Sequence, residues 1–189
     1  MNEDQQAIDQ VLSGNLAAFE VLVTRHQRRL LGLLAHACGS RDEAEDLAQE
    51  AFARAFNKLH LYAGQAQFYT WLCRIAMNLL ASDRRRKRLE NQSKREGFEA
   101  ASNSVGLYAN VEKELERTEM QQCVQAAIAL LDEEKRTVLL MRDFDGLDYE
   151  AIAQVLEIPV GTVRSRLHRA RLELKDILEH RIGRFEAQL

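Results

Sequence analysis

The chain has 189 residues, 46% of them hydrophobic and 29% charged, the balance of a soluble protein of one ordinary domain or two small ones rather than of a disordered chain. Its formal net charge of −3 disfavours nucleic acid at first sight, and no apolar run approaches the ~20 residues of a membrane span, so no membrane insertion is expected. The first twenty residues carry Glu3, Asp4, Asp9 and Glu20 but no Lys or Arg, so no secretory signal is expected and a cytoplasmic location is.

One proline and nine glycines leave few breaks, which favours long helices. Ile8, Val11 and Leu12 fit one apolar face of a first helix, stopped near Gly14. Asn15 is placed to cap the next helix, whose Phe19, Leu22, Val23, His26, Leu30, Leu31 and Leu34 follow a helical spacing up to Gly39. Ser40-Arg41-Asp42-Glu43 has the form of a capping box, in which Ser40 and Glu43 satisfy each other's free amides. The helix it opens carries Ala44, Leu47, Ala48, Ala51, Phe52, Ala55, Phe56 and Leu59 at intervals of three and four. Gly64 and Gln65 mark a loop, and a further helix begins near Gln67. Leu72, Ile75, Ala76 and Leu79 share one side of it; Arg74, Asn78, Ser82 and Arg85 share the other.

Composition shifts after Leu89: residues 90–110 are rich in Asn, Ser, Gly, Glu and Lys and read as a flexible linker, on which Leu107 and Tyr108 are candidates for docking. Helical pattern resumes near Val111. Asp132 is placed to cap a helix through Val138, Leu139 and Met141, closed by a turn at Asp145-Gly146. Asp148 caps a short helix bearing Ile152, Ala153, Val155 and Leu156. The tight connector Glu157-Ile158-Pro159-Val160-Gly161 leads into a last helix at 161–179, with Val163, Leu167, Ala170 and Leu174 on one stripe. This pair is a helix-turn-helix pattern, and the fold class expected is all-α, two small helical domains joined by a flexible linker.

Charge is clustered rather than spread. Arg84 to Arg95 holds seven basic residues and one acidic, Arg164 to Lys175 holds five Lys/Arg, His168 and one Glu, and residues 41–50 hold five carboxylates and one Arg. On the last helix Ser165, His168 and Arg169 point away from the apolar stripe, with Arg164 on its flank. Arg164 and Arg169 are suited to bidentate guanine contacts, worth ~1–3 kcal/mol each in discrimination, Ser165 and His168 to bases or phosphates, and Arg166, Arg171 and Lys175 to phosphates. Cys38, Cys73 and Cys123 form no C-x-x-C pair, so no disulfide framework is expected. A zinc site involving His26, His36 and Cys38 is not expected either. No cofactor, metal or catalytic constellation is expected, so the chain does not read as an enzyme.

Three stretches carry a family resemblance. Asp46-Leu47-Ala48-Gln49-Glu50-Ala51-Phe52 resembles the D-L-x-Q-E-x-F stretch of extracytoplasmic-function (ECF) sigma factors of bacterial RNA polymerase. Phe68-Tyr69-Thr70-Trp71-Leu72 with Arg74-Ile75-Ala76 and Asn78 resembles their next signature. Tyr149 to Ala153 and Pro159 to Arg166 resemble their terminal DNA-reading module. The matches fall in family order and at family spacing over most of residues 5–180. Glu157 departs from the Gly that many helix-turn-helices place in the turn.

The resemblance implies a division into 1–89 (core polymerase binding, minus-ten melting and recognition), a linker at 90–110, and 111–189 (minus-thirty-five recognition). It implies that core RNA polymerase is a partner, through the clamp coiled coil of its largest subunit and its flap. Asp42, Glu45, Asp46, Gln49 and Glu50 form the acidic docking face. It assigns the minus-ten element to Tyr62 and Phe68 in a base-capturing loop and to Asn78, with Arg74, Arg84, Arg85 and Arg86 along the strand backbone. Trp71 reads as core and Tyr62 as the better stacking candidate. It assigns the minus-thirty-five element to Arg164, Ser165, Arg166, His168, Arg169 and Arg171, and it implies an anti-sigma factor answering a stress signal and a monomer when free. The alternatives from other classes are a dimeric helix-turn-helix transcriptional regulator, with an effector pocket and a palindromic site, and a metal-dependent nuclease using the carboxylates of 41–50.

Overall fold

The computed structural model describes residues 3–95 and 113–186, with side chains over 3–90 and 122–180. All regular elements among them are helical: α1 Glu3–Leu12, α2 Phe19–Cys38, α3 Arg41–Asn57, α4 Phe68–Arg95, α5 Lys113–Leu130, α6 Glu133–Leu139, α7 Tyr149–Leu156 and α8 Val160–Glu186. They fall into two compact units, the first containing α1–α4 and the second containing α5, α6, α8 and the start of α7. No helix of the described residues is long and apolar enough to cross a membrane.

In the first unit α2 packs on α1, α3 and α4, and α3 packs on α4. Leu22, Leu30 and Leu34 of α2 meet Ala44 and Ala51 of α3 and Leu72 and Ala76 of α4 in a fully buried core. Removing a side chain of Leu size from water contributes about 1.5–3 kcal/mol. Phe19 and Phe56 cross edge to face with centroids 5.1 Å apart. α2 ends at Gly39, whose φ of +75° closes the helix by donating its N–H to the Ala35 carbonyl at 2.9 Å, a left-handed cap that suits a residue without Cβ. The Ser40 hydroxyl then accepts the Glu43 N–H at 3.4 Å. Only this half of the capping box is seen, because the Glu43 carboxylate is turned to the Lys87 ammonium at 2.9 Å.

Three expectations are corrected here. Leu12 is 52% exposed, while Ile8 and Val11 are buried; as the last residue of α1, Leu12 falls outside the packed face. Asn15 makes no side-chain cap to α2 but precedes a 3₁₀ turn at Leu16–Ala18, which hands the chain on to Phe19. The composition shift at residue 90 is not a helix end: α4 runs on to Arg95, because Lys, Arg, Glu and Gln are good helix formers even without an apolar face. The remainder of the expected linker, with Leu107 and Tyr108, lies outside the described residues.

In the second unit α5 and α6 both pack on α8, around Ala127, Ile128, Leu131, Val138, Leu139, Met141, Val163, Leu167 and Ala170, all buried. The Asp132 carboxylate accepts the Lys135 N–H at 3.2 Å and starts α6. A π-type turn at Leu140–Phe144 follows it. The Asp148 carboxylate accepts the Ala151 N–H at 2.7 Å, capping α7. Loss of either cap costs about 1 kcal/mol.

Candidate nucleic-acid and docking interfaces

The connector between α7 and α8 turns at Glu157, whose φ is +55°. A side chain in this left-handed region costs roughly 1–2 kcal/mol, so Glu157 occupies a glycine-type position. The chain returns through Ile158, whose N–H reaches the Ala153 carbonyl at 3.1 Å, and Pro159, whose carbonyl accepts from Thr162 at 2.8 Å to begin α8. Ile152, Val155 and Val163 are buried, the positions the spacing predicts for the apolar side of this helix pair.

On α8, Arg164, His168, Arg169 and Arg171 are exposed, whereas Ser165 and Arg166 are half-buried. Among the described residues His168 and Arg169 have no protein partner, leaving both side chains available to a ligand. Ser165 donates its hydroxyl to the Thr162 carbonyl at 3.1 Å, which leaves its oxygen free to accept. Arg166 is paired with Glu134 at 2.6 Å, and Arg171 grips the Asp143 carboxylate through Nε at 2.9 Å and a second short contact. That carboxylate raises the Arg171 pKa, hydrogen bonding outweighing the opposing desolvation. As folded, these two arginines brace α8 against α6 and the turn after it. The Arg142 and Arg164 guanidiniums lie over the Tyr149 ring, 4.9 and 5.6 Å from its centroid. Arg142 was not picked out by sequence, and Tyr149 only as the first residue of the stretch resembling the DNA-reading module, with no role given to its ring.

In the first unit Asp42, Glu45, Asp46, Gln49 and Glu50 are all exposed on α3. Glu45 pairs with Arg41 at 2.8 Å and Glu50 with Arg54 at 2.6 Å, exposed contacts worth little and readily exchanged for a partner's cations. On α4, Arg74, Asn78, Ser82 and Arg85 are exposed and lie along one side, while Leu72, Ala76 and Leu79 are buried and Ile75 is half-buried. Cys73, Met77 and Leu80 are buried as well, a wider apolar face than the spacing alone suggests.

Two minus-ten candidates are engaged within the fold. Phe68 is 1% exposed, its ring set in a cluster with Tyr62, Trp71 and His26, so as folded it is not placed to stack on a base. Arg84 donates to the Ala37 carbonyl at 2.7 Å, satisfying the last turn of α2. Arg86 is exposed and paired with Asp83 at 2.6 Å. Trp71, read as core, is half-buried. Tyr62 is half-buried too; its hydroxyl donates to the Ala66 carbonyl and its ring lies 5.3 Å from that of Trp71. The loop is thereby closed on itself, with Gly64 at φ +69° inside it. Among the described residues no group of three or more His, Cys, Asp or Glu is placed to hold a metal ion. Cys73 is buried and Cys38 and Cys123 are half-buried. Burial, helped by the Glu43 carboxylate, pushes the Cys38 thiol up to about 12.

The known proteins this chain resembles are of one kind. The family model for Sigma-70 region 2 matches residues 22–90, and the model for Sigma-70, region 4 matches residues 121–174. The RNA polymerase sigma-H factor of Pseudomonas aeruginosa is 38% identical over 182 residues, covering 94% of each chain. The ECF RNA polymerase sigma-E factor of Escherichia coli K12 is 37% identical over 174 residues, covering 89% of this chain and 90% of that one. The solved structure of CnrH in complex with the cytosolic domain of CnrY superposes with a TM-score of 0.70 at 26% identity, covering 95% of this chain and 99% of CnrH. Two sigma regions in order and relatives of this identity over nearly the whole length establish that the chain belongs to the ECF branch of the sigma-70 family.

Proposed function

We propose that the chain binds core RNA polymerase and directs it to promoters, acting in the cytoplasm as a recognition subunit without catalysis or cofactor of its own. Residues 1–89, with α4 extended to Arg95, make the module that docks on polymerase and opens the minus-ten element; 111–189 make the module for the minus-thirty-five element, and the segment between joins them. The observation that carries this reading is the division of charge within a family member. An exposed carboxylate face lies on α3, and an exposed edge of Arg164, His168 and Arg169 lies on α8. The first suits a cationic protein surface and the second the major groove.

Within the minus-ten module Asn78 offers its amide to a base edge, Arg74 and Arg85 follow the backbone, and the loop closed by Tyr62 and Ala66 receives an unstacked base. A net charge of −3 and two small basic clusters neutralise few phosphates, so the free chain binds DNA weakly. Polymerase raises the affinity by tethering both modules to one template. CnrH is held by the cytosolic domain of CnrY in its solved complex; by that likeness an anti-sigma protein covers the same working surfaces until released. The test is run-off transcription with core polymerase and a promoter library. Initiation on a subset of templates supports the reading and supplies the recognised motif. No initiation on any template, with core polymerase active alongside a housekeeping sigma factor, overturns it.

A further inference from the structure

We propose that Tyr149 is a positioning residue for DNA recognition: its ring holds the Arg164 guanidinium in the pose that meets a base edge, with Arg142 also held against that ring. The proposal rests on the groove-reading role given to α8 above and adds the device that sharpens it.

The restraint can be followed from one residue to the next. Asp148 caps α7 at the Ala151 N–H, which fixes the backbone of Tyr149 at the helix's first residue. Arg142 donates to the Leu147 carbonyl at 2.8 Å and places its guanidinium 4.9 Å from the Tyr149 centroid. Tyr149 is thus half-buried against an anchored cation. Arg164, exposed on the first turns of α8, lies over the same ring at 5.6 Å. A guanidinium within about 6 Å of a ring centroid is attracted by the π face. A planar fork held in few rotamers loses less freedom on forming two parallel hydrogen bonds than one that samples all of them. Arg169, without a protein partner among the described residues, has no such restraint. The two arginines therefore read DNA differently: Arg164 discriminates sharply at its base pair, and Arg169 tolerates variation.

The experiment uses the full chain with core polymerase on upstream-element duplexes selected from a randomised library by the wild-type protein. Arg164→Ala identifies the base pair that Arg164 reads. Tyr149→Phe keeps the ring and loses the hydroxyl, and is expected to retain wild-type preference there. Tyr149→Leu is expected to lose about two- to fivefold of the discrimination at that same base pair, the size of an exposed cation–π contact. The double variant Tyr149→Leu, Arg164→Ala is expected to be no worse than Arg164→Ala alone. If Phe behaves like Leu, the hydroxyl is acting on DNA directly and the proposal fails. It fails equally if the double variant shows additive losses. If Arg164→Ala leaves base preference unchanged, the groove-reading assignment itself falls; if only Tyr149→Leu is silent, the positioning role alone falls. A readout independent of folding in the variants is the proton spectrum of the free wild-type chain. The side-chain protons of Arg164 should be shifted upfield by the ring, and their appearance at ordinary positions would overturn the stacking.

Discussion

The Nε2–H of His26 donates to the Asp4 carboxylate at 2.9 Å, tying the start of α1 to the middle of α2 where both side chains are buried. Arg25 binds the same carboxylate at 2.8 Å, and the Phe68 and Tyr69 rings each lie 5.5 Å from the imidazole. Burial lowers the His26 pKa, outweighing the opposing pull of Asp4 and aided by Arg25 and Arg29.

This arrangement predicts a pH dependence. The folded first unit holds His26 neutral, whereas the unfolded chain protonates it near the usual value of about 6.5. The unfolded state binds the extra proton, so the stabilisation is complete above about pH 6.5 and declines as pH falls from there to the lower folded-state value. Trp71 is the sole tryptophan of the chain and sits in this unit, so its fluorescence follows this unit alone. The thermal midpoint it reports should drop between about pH 7 and pH 5 in the wild type. His26→Gln, which cannot titrate, should flatten that slope; an equal slope in both would show that other groups are responsible.

Arg84 and Arg85, adjacent and alike in sequence, should separate cleanly. Arg84→Ala removes the donor to the Ala37 carbonyl and should lower the stability of the first unit by about 1.5–3 kcal/mol, the worth of a charged hydrogen bond. Arg85→Ala, on an exposed position, should leave stability within about 0.5 kcal/mol while slowing promoter opening. Denaturant titration by Trp71 fluorescence and permanganate footprinting of melted DNA measure the two. A stable Arg84→Ala protein defective only in opening would return Arg84 to the DNA surface.

For the aromatic loop, Phe68→Ala should cost about 3–5 kcal/mol, as expected for emptying a buried aromatic site, and should abolish every activity of the first unit together. Tyr62→Phe removes only the hydroxyl that closes the loop on Ala66. It should leave core polymerase affinity unchanged and reduce open-complex formation several-fold. A Tyr62→Phe protein that opens promoters at the wild-type rate would show the loop closure to be dispensable.

Cys38 should be a poor redox sensor. With its pKa near 12, the thiolate fraction at pH 8 is on the order of 10⁻⁴. Alkylation by iodoacetamide, followed by peptide mass spectrometry, should label Cys38 far more slowly in the native chain than in the chain unfolded by guanidinium. Comparable rates in the two states would contradict the burial seen here.

Much of this was legible in the sequence. The buried stripes of α3 and α8, the caps at Ser40, Asp132 and Asp148, and the tight turn at Glu157 all rest on neighbours within a few residues, where periodicity and turn chemistry speak directly. What escaped depends on distant partners. Arg84, Arg166 and Arg171 resemble their exposed neighbours in sequence, yet their acceptors are Ala37, Glu134 and Asp143, each about 28–47 residues away along the chain. Phe68 was ambiguous for a related reason. At the first position of α4 it belongs equally to the preceding loop and to the helix, and only packing against α2 decides for the core. Asn15 was a sound cap by residue type, but a 3₁₀ turn intervenes between it and α2.

The length of α4 has a consequence for how the front module can change over generations. Its 28 residues form one uninterrupted rod, about 42 Å long at the usual rise, on which Asn78 and Arg85 stand two turns and roughly 10 Å apart. That spacing is set by the main-chain ladder rather than by any loop. Substitutions along the rod can retune individual contacts, but inserting or deleting a single residue between these two would swing everything beyond it by about 100° around the axis. Length variation should therefore be tolerated after Arg95 far better than within the rod.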